Sequence, residues 1–235
     1  DVVAGQLIGT ANLATLVYVP AAGYAGPDSF TWDGSDGTLF SGAPATVYLI
    51  VDPAQSDIVT QWNLLALGLN LPFHHGHFLA GRLQAMMHAA MYDAVMAFDR
   101  SFAPYYVTTP PPVGASMEAA STAAAYQVLY TEITDPMQRL LIQARFDNHL
   151  AEIPDVSARA AGVAYGQSVA EAIRILRAAD GSMMAMMMEH PDGTLPGEWR
   201  RTESGAPLAP GWGLVTPWIM TGADQFDQGG PPDLT

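Results

Sequence analysis

Cysteine and lysine are both absent from this sequence of 235 residues. Without cysteine there is no thiol nucleophile, no disulfide and no thiolate ligand for zinc. Charge is sparse: charged residues make up 14% of the chain, where about a quarter is usual, and all nine basic residues are arginine. Against them stand 23 acidic residues, for a net charge of −14. That balance excludes the basic face that nucleic acid or an anionic membrane surface requires. No apolar run reaches the roughly 18 residues of a membrane span. The closest, Phe78 to Phe98, is interrupted by Arg82, Gln84, His88 and Asp93.

Hydrophobic residues are 49% of the chain, enough for a sizeable core, and 22 Gly with 18 Pro imply many turns. The character of the sequence changes near Pro53. Before it, the pattern is β. Leu16 to Val19 is β-branched and aromatic, and Pro20 closes it. Ser29-Phe30-Thr31-Trp32 alternates polar and aromatic, the period of a half-buried strand. Asp33 to Gly37 is turn chemistry. Ala45 to Val51 is a strong strand whose continuous apolar end predicts burial on both faces. In this half Asp28, Asp33 and Asp36 are a candidate calcium set, since oxygen-rich turns bind hard cations; ordinary turn aspartates are the alternative.

From Ser56 the period shifts to 3.6. Ser56 or Asp57 caps a predicted helix to about Leu69, and Phe78 to Phe98 is a second, apolar nearly all round, as expected of the middle of a bundle. A Pro-rich loop leads to a third, Ala115 to Ile133. Asp135-Pro136 opens a fourth to about Ala151, and Pro154-Asp155 a fifth to Ala179. In the fifth, Gly162, Gly166 and Ala170 fall four apart and invite close approach of another helix. Asp180-Gly181 is a stop. Residues 182–235 have little periodicity and much Gly, Pro and Trp, so a long ordered loop on the bundle is expected, with Trp199, Trp212 and Trp218 as its anchors.

Two stretches carry a resemblance. Tyr18-Val19-Pro20, Gly23-Tyr24, Gly26 to Phe30 and Asp36-Gly37 resemble the C-terminal half of the cadherin-like, immunoglobulin-like repeats of bacterial surface and secreted proteins. A full sandwich of that type needs roughly 100 residues and seven strands, so about half of one is expected here. Gln61-Trp62-Asn63, Arg82, the run from Met87 to Val95 and Ala103-Pro104-Tyr105 precede the Ala-rich helix around Tyr126. Gly162 to Gly166, Leu176 to Ser182, Pro196 to Arg200 and Val215 to Trp218 follow it. In this order they resemble the N-terminal half of bacterial vanadium-dependent haloperoxidase-like proteins, relatives of the phosphatidic acid phosphatase superfamily. The resemblance covers about residues 56–235 and is most specific at His88-Ala89-Ala90-Met91-Tyr92-Asp93-Ala94. It implies an all-helical fold. In that family a Lys, two Arg and a His hold vanadate or phosphate, and a Pro-Ser-Gly-His segment supplies an acid–base histidine. This sequence contains neither a Lys nor that segment. An oxyanion needs converging cationic donors, so no catalytic and no cofactor-binding residue is assigned here; vanadate is implied only for sequence beyond Thr235.

His74, His75 and His77 form the most unusual cluster: three imidazoles within four residues can offer neutral nitrogens to copper, nickel or zinc. A polar loop capping the next helix is the alternative. Arg82, His88 and Asp93 sit in a helix expected to be buried, either lining a cleft or paired within an internal polar network. Met183 to Met188 is a soft copper(I) candidate or a flexible apolar filler.

The expected fold is mainly α: a partial immunoglobulin-like β domain over 1–52, a haloperoxidase-type helical bundle over 53–181, and an extended segment packed on it over 182–235. The expected function is the N-terminal scaffold portion of a secreted or cell-surface haloperoxidase-like protein, inactive by itself. Its expected partners are the remaining parts of the same protein or neighbouring subunits, with no nucleic acid and no membrane span. A structural subunit of an extracellular assembly is the alternative.

Overall fold

The computed structural model describes residues 2, 5–22, 24–52, 56–73, 76–196, 198–201 and 207–226. The molecule is mainly helical, with one small antiparallel sheet. Its contacts divide it into two units, Asp1–Ser56 and Asp57–Thr235.

In the first unit β1 (Gly26–Trp32) pairs antiparallel with β2 (Ala45–Val51). Asp28 lies opposite Leu49, Phe30 opposite Val47 and Trp32 opposite Ala45, which puts these pairs on one face. The connection folds on itself. Asp36 Oδ1 accepts from the backbone N–H groups of Thr38 (2.8 Å) and Leu39 (2.9 Å), Gly37 takes φ 96°, and Ser35 bridges Phe40. Two expectations are corrected. Leu16 to Val19 joins no strand ladder; it follows a 3₁₀ turn at Thr10–Thr15 and lies beside β1 through side chains only, with Tyr18 stacked on Phe30 and hydrogen-bonded to Asp28. The apolar end of β2 is not buried on both faces, and Tyr48 remains 40% exposed. Among the described residues the sheet has two strands, too few to cover either face.

The second unit is a bundle of α1 (Ile58–Phe73), α2 (Gly76–Asp99), α3 (Met117–Glu132), α4 (Pro136–Ala151) and α5 (Val156–Arg177), followed by a short α6 (Ser182–Met187). Short polar side chains start the helices by accepting from otherwise orphaned N–H groups. Asp57 accepts from Thr60 N (2.8 Å), Ser116 from Ala119 N (3.0 Å), Asp135 from Gln138 N (2.9 Å) and Asp155 from Ala158 N (2.9 Å). No described helix is long and apolar enough to cross a membrane.

The hub of the bundle is α3, not α2. Every residue from Ala119 to Ala125 is buried, whereas α2 buries one face and leaves Gly81 and Tyr92 exposed. Size decides this. Alanine, serine and threonine let neighbours approach α3 from all sides, while the long side chains of α2 fill space on one side. The stripe on α5 meets this hub as expected. A methyl group built on Gly162 would lie 2.8 Å from Ala119 Cβ, and one on Gly166 would overlap the carbonyl of Ala120. The two helices run parallel: Ser116 N donates to Ala158 O (2.9 Å) at their starts, and Arg174 meets Glu132 (2.9 Å) near their ends. Helix α4 returns antiparallel to α3, with Tyr126 stacked on Phe146 at 4.1 Å.

Candidate functional site

An open groove of about 570 Å³ lies between the start of α2 and the chain that follows α5. One stripe of α2, Phe78, Gly81, Arg82 and Ala85, forms one wall, its spacing that of neighbouring turns on a single helix face. Arg177 at the end of α5 and the segment Trp212 to Trp218 form the other.

Two arginines line the floor, and one aspartate behind them pairs with both. Arg82 Nε donates to Asp180 Oδ2 (2.7 Å), and its Nη2 donates to Arg177 O (2.7 Å). Arg177 reaches the same Asp180 oxygen through Nε (3.2 Å) and Nη2 (3.0 Å). It also donates to the carbonyls of Thr216 (2.6 Å) and Pro217 (3.3 Å) and lies 4.3 Å from the centre of the Trp218 ring. The side chains of Arg177 and Asp180 are 3% and 2% exposed, and that of Arg82 is 14% exposed. Burial pushes the Asp180 carboxyl up, but hydrogen bonds from Arg82 and Ser182 outweigh it and hold the carboxyl below its ordinary value. Asp180 O accepts from Thr216 N (2.8 Å), a further tie to the same segment. The cluster balances two guanidinium charges against one carboxylate.

A second buried carboxylate does different work. Asp93, fully buried on α2, accepts from three successive backbone N–H groups, of Tyr105 (2.6 Å), Tyr106 (2.9 Å) and Val107 (2.8 Å). It therefore fixes the loop that leaves α2. Tyr92 OH donates to Ala103 O (2.8 Å) in the same loop, and Tyr105 OH donates to Trp218 O (3.0 Å). His88 is half-buried and lies 3.0 Å from Asn63 Oδ1, and desolvation lowers its pKa. Arg82 and Asp93 thus connect through Tyr105, Trp218, Arg177 and Asp180, whereas His88 pairs separately with Asn63.

His74 and His75 lie outside the described residues; His77 is exposed at the rim of the groove. Asp28 is occupied by Tyr18 and by Ser29 N (2.7 Å), Asp33 by Ser41 Oγ (3.2 Å), and Asp36 by its own turn. The hydrogen bond to Asp28 pushes the Tyr18 phenol up to about 12. Among the described residues no group of three His, Asp or Glu stands close enough to hold a metal ion.

The methionine run is helical through Met187, which its composition permitted but its lack of periodicity did not announce. Met183, Met184 and Met187 are exposed, so they do not fill the core. Trp212 and Trp218 are anchors, packed on Phe78 (5.1 Å) and Tyr105 (5.9 Å); Trp199 instead stays within its own segment, against His190 (5.2 Å). In the sequence Asp180-Gly181 marks only a helix stop, and its pairing with Arg177 comes from the structure. The signal that marks it is the i,i+3 pairing of opposite charges in a chain with so few cations.

The chain matches no protein-family model, no curated protein and no solved structure.

Proposed function

We propose that this chain is the N-terminal scaffold portion of a secreted vanadium-dependent haloperoxidase-like protein. What supports the reading is that the segments carrying the resemblance are wired to one another. The helix run ending in Asp93 holds the loop at Tyr105. Tyr105 holds Trp218, and Arg177 and Asp180 hold Thr216. Arg82 completes the circuit through Asp180. A set of residues spread over more than a hundred positions acts here as one joint, as a scaffold shared by a family does. In this reading the vanadate or phosphate site is supplied by lysine, arginine and histidine of another part of the protein. The β unit is a partial immunoglobulin-like sandwich completed by strands from elsewhere, since both edges of a two-stranded sheet present unpaired backbone groups.

The test is activity with and without the flanking coding sequence. The chain alone, given vanadate, peroxide and bromide, or a phosphomonoester, is expected to show no turnover above buffer. The extended protein is expected to show it. Turnover by the chain alone, abolished by changing one of its own residues, refutes the reading. A second reading, a structural subunit of an extracellular assembly, is favoured by the exposure of Met183, Met184, Met187 and Ile219 on the helical unit. It expects a defined oligomer of this 25.0 kDa chain in native mass spectrometry.

A further inference from the structure

We infer that the groove between α2 and the segment Trp212 to Trp218 binds a small monoanionic carboxylate with a flat apolar body. The inference does not depend on the haloperoxidase reading. The charge argument comes first. In a chain of net charge −14, this floor carries two guanidiniums backed by one carboxylate that pairs with both, an excess of one positive charge in a partly desolvated place. Arg177 is committed to Asp180, to two carbonyls and to the face of Trp218. Arg82 spends Nε and Nη2 on Asp180 and Arg177, and its Nη1 enters neither bond. That remaining edge, on the residue that retains some exposure, offers one charge-assisted donor to one anionic group. A dianion overcompensates the excess charge; a monoanion matches it.

The walls select the rest of the ligand. Phe78, Trp212 and Trp218 give flat apolar surface beside the cationic floor, and the groove is in the size range of small-molecule sites. Aromatic surface beside one fixed charge suits a planar ligand with one charged end.

The experiment titrates the full chain with sodium benzoate and follows tryptophan emission, two of the five tryptophans being in the walls. Benzyl alcohol serves as the neutral probe. Benzoate is expected to saturate with Kd on the order of 1 mM, the scale for so few atoms. Benzyl alcohol is expected to bind at least about tenfold more weakly. Gly81 supplies the control, because it lines the groove and a Cβ built there meets nothing within 4 Å apart from its chain neighbours. Gly81→Leu therefore adds bulk to the groove wall while leaving every donor and acceptor of the arginine cluster in the sequence. It is expected to keep the helical circular dichroism and to weaken benzoate at least about tenfold. Arg82→Gln is expected to lose benzoate selectivity over benzyl alcohol. Absence of saturation with benzoate, equal binding of the two probes, or an unchanged Kd in a folded Gly81→Leu overturns the inference.

Discussion

Removing the Asp93 carboxylate tests the deepest joint of the helical unit. Asp93→Ala takes away the acceptor of three backbone N–H groups at once, those of Tyr105, Tyr106 and Val107. A hydrogen bond to a charged group contributes about 1.5–3 kcal/mol, so three bonds sum to roughly 5–9 kcal/mol. Two effects reduce that sum. Deleting a fully buried charge also removes its desolvation cost. The loop can recover water, since Tyr106 is 50% exposed. The expected loss is therefore about 3–5 kcal/mol, large against the 5–15 kcal/mol of a typical domain. Asp93→Asn keeps one acceptor oxygen but turns an N–H₂ toward donors, so a loss of about 2–3 kcal/mol is expected. Urea unfolding with a check that the slope is unchanged gives both values. Hydrogen exchange reads the same event locally: the amides of residues 105–107 are expected to lose protection before the helices do. A loss below about 1 kcal/mol for Asp93→Ala, with those amides still protected, refutes the claim that this carboxylate holds the loop.

Two further perturbations separate packing from charge. Gly166→Ala places a methyl group against the carbonyl of Ala120, which cannot yield without parting α3 from α5, and is expected to cost at least about 2 kcal/mol, whereas Gly81→Ala, into open space on an exposed helix face, is expected to be neutral or to gain up to about 1 kcal/mol; thermal melts of both variants check this. The Asp180 carboxyl is held below its ordinary value of 3.8 in the folded state, so its contribution to stability is complete above that value and is lost as pH falls through the lower folded value. Asp180→Asn is therefore expected to be less stable than the parent at pH 7, with the gap narrowing below about pH 3.8 in melts taken along a pH series.

Much of the helical unit was legible because its signals are local. Asp135-Pro136 and Asp155 mark helix starts within the chain segment itself, and both act as caps. The glycine spacing of α5 states a close approach in one dimension, and only the identity of the partner had to come from the fold. The role of α3 as hub was not legible, because α2 is the more apolar segment and periodicity does not register side-chain volume. In the β unit, Leu16 to Val19 has strand composition, yet a strand exists only where a partner supplies its ladder, and none of the described residues does.

The groove was the least legible feature, and the reason is physical. Its charged residues come from the start of α2, the end of α5 and the turn after it, so their meeting depends on how helices of different lengths line up. The sequence shows Arg82 and Asp180 as single charges far apart; the fold puts them 2.7 Å from one another. Scarcity of charge turns this meeting into an argument. In a surface crowded with lysine and glutamate, an ion pair contributes little and says little. Here nine arginines serve the whole chain, and two of them are drawn into one nearly buried cluster with a single aspartate between them. Arg177 uses its donors to clamp the chain after α6, which accounts for its burial. Arg82 ties α2 to that clamp, through Asp180 and through the carbonyl of Arg177. A second cation on a satisfied carboxylate adds repulsion as well as attraction. Arg82 therefore joins two roles: it ties α2 to the turn after α5 through Asp180, and it keeps a cation at the edge of the aromatic groove.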